Sequence, residues 1–326
     1  MNVLVTGGAG YIGSVTVEAL VNRGHRVVVL DNLVTGHRDA VHEAAAFVHG
    51  DIQDPEMVGF AVQEHGVEAV LHFAASSLVG ESMEQPFKYF GNNSAGSLKL
   101  LETLVGHGVK RFVLSSTAAL FGTPDALPIP ADAPIRPESV YGESKYLIER
   151  MLAWLQRTQG LGYTTLRYFN AAGASGRFGE DHRPESHLIP IVLEVARGKR
   201  AYIPIFGDDY PTRDGTCVRD YIHVLDLAEA HVLAVEALEP GEAHAYNLGN
   251  GTGFSVREVV EVCREVTGHE IPERVLPRRA GDPAALVADS SLLTQELGWR
   301  PQHADLREIV ASAWRWFQAH PEGYHA

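Results

Sequence analysis

The chain has 326 residues, 45% of them hydrophobic, two cysteines and a formal net charge of −14. That length suits one large domain or two sharing a cleft, and the acidic balance excludes nucleic acid as partner, because a polyanion requires a clustered cationic face. Sparse thiols, no apolar run near the roughly 18 residues of a membrane span, and a strand starting at Asn2 lead us to expect a cytoplasmic protein with no membrane contact.

The first element is the strand in NVLVTG, followed by glycines at Gly7, Gly10 and Gly13 and then a helix with Ile12, Val15, Val17, Ala19 and Leu20 on its apolar face. Glycine permits a tight turn and close backbone approach, and a helix N-terminus offers free amides and a positive dipole end to a pyrophosphate. Taken alone, the pattern leaves open a plain strand-to-helix turn. The second strand, RVVVLD, ends in Asp31, placed to accept from a ribose 2′-hydroxyl and to repel the extra phosphate of NADP, so NAD is the expected cofactor. AAFVHGD ends near Asp51 and Ile52, which could hold an adenine amine and pack on its ring; a solvated aspartate at a strand end is the open alternative.

EAVLHFA, RFVLSST and YTTLRYFN continue the series of strands, with helical stretches between them that include 93–107 and 141–157. This alternation is the βαβ signature of a parallel sheet. RFVLSST delivers Ser115, Ser116 and Thr117 at its carboxyl end, where ligands of open α/β sheets bind. In SVYGESKYLIERML that follows, Tyr141 and Lys145 are four apart and share a helix face. A tyrosine with its usual pKa near 10 is a poor base at neutral pH, but Lys145 and an oxidised nicotinamide would both stabilise its phenolate.

Beyond about residue 170 the pattern changes to Gly and Pro clusters (173–184 and 204–215) and helices near 188–197, 225–238, 255–267 and 304–319. We therefore expect a dinucleotide-binding domain over 1–170 and a smaller domain over 171–326, interleaved because HAYNLGN reads as a strand returning near 244–250. None of the 16 histidines makes the helical pair around a glutamate that a zinc hydrolase needs, so no metal is expected.

Together TGGAGYIG, Asp31, HFAAS, the Ser-Ser-Thr strand end, YGESK and RYFNAAG resemble the extended short-chain dehydrogenase/reductase family. FGDDYPTRDGTCVRDYIHVLDLAEAH and RRAGDPAALVADSS are similar to its nucleotide-sugar 4-epimerases, and the resemblance runs from residue 1 to about 320. It implies a Rossmann doubly wound parallel sheet with a smaller mixed α/β C-terminal domain, a tightly held NAD, and interconversion of UDP-galactose and UDP-glucose. In that reaction C4 of the sugar is transiently oxidised, the 4-keto intermediate turns, and hydride returns to its other face.

Carried over by position, the resemblance makes Tyr141 the base on the 4-hydroxyl, Lys145 the holder of the nicotinamide ribose, and Thr117 the hydroxyl at the 4-oxygen. Tyr11, Ile12 and the three glycines would contact the cofactor at its pyrophosphate. Asp31, Asn32, Asp51 and Ile52 would hold its adenosine end, while Phe73, Ala74, Ala75, Asn93, Ser115 and Tyr168 would line the rest of its site. Substrate would meet Asn170, His187, Leu188 and Tyr221, with Phe206 beside the uracil, Arg219 and Arg279 on the diphosphate and Asp282 on the ribose. The family also implies a homodimer through helices 93–107 and 141–157, although core packing explains Leu98, Leu101, Leu104, Leu147, Met151 and Leu155 as well.

Three positions depart from the family pattern. Ser77 stands where a lysine reaches the cofactor phosphates, His187 where asparagine is common, and Leu286 where residue size gates the sugar's 2-substituent. Leucine there is intermediate, leaving UDP-N-acetylglucosamine or UDP-pentose epimerisation as alternatives. A 4,6-dehydratase would need an acid and a base after Thr117, where Ala118 and Ala119 stand; a non-catalytic NAD sensor would not need both Tyr141 and Lys145.

Overall fold

Residues 1–279 and 282–325 are described by a computed structural model, so Ala280 and Gly281 of the RRAGDPAALVADSS motif lie outside it. Strands β1 (Asn2–Thr6), β2 (Arg26–Asp31), β3 (Ala46–His49), β4 (Ala69–His72), β5 (Arg111–Thr117) and β6 (Gly162–Tyr168) build the main sheet. β7 (Asn170–Ala172), β8 (Ile203–Phe206), β9 (Val218–Arg219) and β10 (Tyr221–His223) lie beyond it, and β11 (Ala243–Leu248) returns beside β6 as the seventh strand. β12 (Phe254–Ser255), β13 (Glu273–Leu276) and β14 (Ala285–Leu286) complete three small sheets.

The main sheet runs β3-β2-β1-β4-β5-β6-β11 with every pair parallel. Its central strands are continuous apolar runs rather than alternating ones: Val3, Leu4 and Val5 are all fully buried. A sheet covered on both faces requires that.

The helices are α1 (Tyr11–Asn22), α2 (Pro55–His65), α3 (Val79–Glu84), α4 (Pro86–Tyr89), α5 (Gly96–Gly106), α6 (Val140–Gln159), α7 (Leu188–Ala196), α8 (Val224–Ala237), α9 (Val256–Thr267), α10 (Ser291–Leu297) and α11 (Leu306–Ala319). Val58, Val62, Leu100, Leu104, Ile148 and Leu152 of α2, α5 and α6 cover one face of the sheet. Val17 and Leu20 of α1 join Ala230 and Val235 of α8 on the other. Val192, Val260 and Ile309 of α7, α9 and α11 form a separate core.

The sequence placed helix 225–238 in the smaller domain, yet α8 packs on α1 and the main sheet. It leads directly into β11 and is buried around most of its circumference, so it must lie on the sheet that β11 joins. Leu101 and Leu104 are core residues, whereas Leu98 and Trp154 are exposed. Among the described residues no helix is long and apolar enough to cross a membrane.

Candidate active site

β1 and β4 are neighbours from which the chain winds outward in opposite directions, so their carboxyl ends open a crevice. Gly7 turns out of β1 at φ +75°, where an added Cβ would lie 2.5 Å from the Ala74 amide nitrogen. At Gly13 a Cβ would sit 2.2 Å from the Gly7 carbonyl oxygen. Gly10 does something else: it begins α1 with no side-chain cap, and the first turn holds no acidic residue. The amides at this helix start are therefore open to an anion, and the glycines on either side let the turn close tightly against neighbouring backbone.

At the end of β2, Asp31 accepts from the Ala9 amide at 3.0 Å and from the Leu33 amide at 2.8 Å. Each carboxylate oxygen keeps another lone pair for a ribose hydroxyl. Burial raises this carboxyl, and the two amides oppose the shift. Asn32 donates to Asp51 at 2.8 Å, tying the ends of β2 and β3 above the buried Ile52. Leu33 adopts φ 58°, a left-handed backbone rare for leucine, so the turn beside Asp31 is strained.

Two expected cofactor residues use their side chains elsewhere. The Tyr11 phenol is buried and donates to the Gly173 carbonyl at 2.7 Å, which leaves its backbone amide to face the glycine turn. Ile12 likewise packs into the apolar layers around α1. Asn93, within a π-helical segment Phe90–Ala95, accepts from the Ser76 amide at 2.8 Å and donates to Ser76 O and Ser144 Oγ at 2.9 and 3.0 Å. It latches the loop after β4 to α6. In that loop the Phe73 and Ala74 amides share the Thr6 carbonyl, Ala75 follows them, the Phe73 ring lies 4.7 Å from His231, and Ser77 is exposed.

The sequence of α6 brings its first turn against the end of β5. Ser139 caps it, accepting from the Gly142 amide at 3.1 Å, and any Cβ on Gly142 would meet the Ala119 carbonyl at 2.4 Å. The half-buried Tyr141 therefore stands beside Thr117, edge-on to Tyr89 with ring centres 6.4 Å apart. Burial raises its phenol pKa and the Thr117 hydroxyl pulls it down. One turn on, Lys145 is 2% exposed, and its Nζ donates to the Ser115 carbonyl at 2.8 Å. Burial pushes the ammonium down to about 8 and Glu149 opposes this. Two of its three donors stay available toward the crevice. Ser115 Oγ and the Tyr168 hydroxyl bond to each other beside it.

Sequence reading missed the support behind this group. Glu149, one turn past Lys145, accepts from Ser116 Oγ at 2.6 Å and from Arg167 at 3.0 and 2.6 Å. The recurrence of polar residues at 141, 145 and 149 was the available signal. Asp220 was also missed: its buried carboxylate gathers the amides of Asn250, Gly251 and Ala288 at 2.7, 3.0 and 3.0 Å.

On the other wall Arg219 pairs with Asp282, and the Arg279 guanidinium lies 3.9 Å from the Phe206 ring centre. Two candidate diphosphate cations, a carboxylate and an aromatic face thus meet in one place. Asn170 donates to the Asp220 carbonyl at 2.8 Å, while Tyr221 is buried in the core beneath. Leu286, in register with Arg219 on β14, packs against the cluster of Ala118, Phe121 and Ile129 next to Thr117. His187 precedes α7 and Leu188 begins it, but the His187 ring sits between Glu180 and Glu185, at 2.8 and 2.9 Å.

The model of the NAD dependent epimerase/dehydratase family matches residues 3–249. The UDP-glucose 4-epimerase of Halalkalibacterium halodurans is 54% identical over 99% of this chain and 98% of its own length. A UDP-glucose 4-epimerase of known crystal structure superposes with a TM-score of 0.97 at 51% identity, covering all of both chains. The Bifidobacterium longum UDP-glucose 4-epimerase, solved with NAD+ and UDP, gives 0.95 at 38% identity over 99% of this chain and 100% of that one.

Proposed function

The chain belongs to the NAD dependent epimerase/dehydratase family, and from that premise we propose that it interconverts UDP-galactose and UDP-glucose with NAD retained in the glycine cradle. The observation that carries the reading is the meeting of Tyr141, Lys145 and Thr117 at the carboxyl end of β5. The cofactor fits because Gly7 and Gly13 let the turn pack against its own backbone and the loop after β4 more closely than any Cβ allows, which sets an uncapped helix start with free amides at the crevice. NAD supplies a reversible hydride acceptor at sugar C4.

Tyr141 takes the proton of the 4-hydroxyl and later returns it, and Thr117 orients the 4-oxygen toward the phenol. Lys145 presents its remaining donors to the nicotinamide ribose while its charge favours the phenolate. Arg219 and Arg279 hold the diphosphate, so the nucleotide stays anchored while the sugar turns. Diphosphate competes with Asp282 for Arg219, and a base competes with Arg279 for the Phe206 face.

Ala118 and Ala119 cannot move a proton, which argues against dehydration. Leu286 keeps UDP-N-acetylglucosamine or UDP-pentose turnover as the second reading, since it stands between the Arg219 strand and the Ala118 cluster. Exposed Leu98 and Trp154 on α5 and α6 support a homodimer across those helices.

The test is turnover of UDP-galactose by wild type and Tyr141→Phe, with acid-released NAD measured on both. A variant that keeps its NAD but loses activity by about 10²–10⁴-fold fits a proton-transfer role; one as fast as wild type overturns it.

A further inference from the structure

Residues 180–187 read EDHRPESH, and four of these side chains converge although the sequence offered no familiar zinc motif. Glu180 Oε1 lies 3.1 Å from His182 Nδ1 and 2.8 Å from His187 Nδ1, and Glu185 Oε1 lies 2.9 Å from His187 Nδ1. One donor atom from each residue falls within 4.8 Å of all the others. We propose that Glu180, His182, Glu185 and His187 bind one divalent transition-metal ion of the zinc class, as a structural clasp on the loop between β7 and α7.

The charge of the cluster supplies an argument separate from its geometry. The carboxylates of Glu180 and Glu185 are only 5% and 7% exposed. Buried carboxylates require a compensating charge, yet among the described residues their only ion-pair partners are these imidazoles, with no lysine or arginine. Ligation takes the imidazoles as neutral donors, and with them the cluster carries two negative charges, which one divalent ion cancels; without an ion, the carboxylates favour a charged His187 ring instead. Mixed imidazole and carboxylate donors suit zinc and its neighbours better than magnesium or calcium, and tetrahedral bonds of about 2.0–2.2 Å place donors roughly 3.3 Å apart. Four protein ligands leave no open position, as in structural rather than catalytic sites.

The location gives the clasp a purpose. The Gly179 amide donates to the Tyr324 hydroxyl at 3.0 Å, His37 meets the Asp181 carbonyl at 2.9 Å, and the Tyr11 ring stands edge-on to His182 at 6.3 Å. The loop therefore touches the C-terminal tail, the segment after β2 and the helix behind the glycine turn. An ion here would fix the entry to α7, where His187 and Leu188 stand. This inference does not depend on the identity of the sugar.

The experiment uses the whole protein, stripped with a chelator and titrated with ZnCl2 or CoCl2. Expected are one equivalent bound per chain, visible cobalt d–d bands typical of four-coordination, and a rise in Tm that EDTA reverses. His182→Gln and Glu185→Gln should each bind zinc at least about tenfold more weakly, and a chelator-treated wild type gives the same comparison should a variant fail to fold. Binding below about a tenth of an equivalent with no shift in Tm overturns the proposal and leaves histidine–carboxylate ion pairs alone. Variants that bind like wild type overturn it equally, because the metal would then sit elsewhere. Neither metal content nor Tm reads turnover, so failure here is distinct from failure of the proposed reaction.

Discussion

Glu149 takes both prongs of the Arg167 guanidinium, at 3.0 and 2.6 Å, one helical turn behind Lys145. Both side chains are 8% exposed, and Arg167 lies in register with Ser116 on the adjoining strand. Removing one partner from such a pair leaves a buried, uncompensated charge. Arg167→Ala should cost about 3–5 kcal/mol in urea unfolding and lower kcat as α6 loosens. A loss under about 1 kcal/mol would mean that water already compensates Glu149.

The glycine cradle makes a sharper demand at Gly13 than at Gly10. A Cβ at Gly13 meets a backbone oxygen at 2.2 Å, while one at Gly10 comes no nearer than 3.3 Å. Backbone cannot yield as a side-chain tip can, so Gly13→Ala should displace the turn and release NAD. Absorbance of the purified protein near 260 nm, with acid extraction, reads the bound fraction; Gly10→Ala should retain more than Gly13→Ala.

Substrate range should follow Leu286. Its side chain fills the space beside Ala118, Phe121 and Ile129, and Leu286→Ala would vacate it. Relative turnover of UDP-N-acetylgalactosamine over UDP-galactose should rise by about tenfold, the scale of a few methylenes in a pocket. An unchanged ratio would move the gate to another residue.

Acid should unfold the protein through buried neutral histidines. Burial holds His72 down to about 3, and His223 and His231 down to about 4. Their folded values lie below the unfolded one, so each ring contributes stability above pH of about 6.5 and loses it as pH falls toward 4. The slope is about 1.4 kcal/mol per pH unit for each ring. Urea unfolding at pH 7, 6 and 5 should show the decline, and His223→Gln should lessen it by about one proton's share.

Much of the fold was legible because its signals are local. Continuous apolar runs separated by helical stretches gave the strands, and the spacing of Gly7, Gly10 and Gly13 gave the turn whose crowding the structure makes explicit. Tyr141 and Lys145 could be read because one helix carries both. What escaped depends on contacts between distant segments. Nothing near Asp220 says that it will collect amides from residues 250, 251 and 288. Asn93 reads as a cofactor residue from its motif, yet its hydrogen-bond partners lie at Ser76 and Ser144. Histidines 182 and 187 matched no helical zinc motif because their convergence occurs in a loop.

Strand β11 also governs how the chain can fold as it is made. β6 ends at Tyr168 and its outer partner begins only at Ala243. Until then one side of β6 is an unpaired edge, open to another chain. The ribosome must deliver α7 and α8 before the first domain can close. A nascent chain stalled between these strands would depend on a chaperone, and deleting the C-terminal third would yield aggregates rather than a free NAD-binding domain.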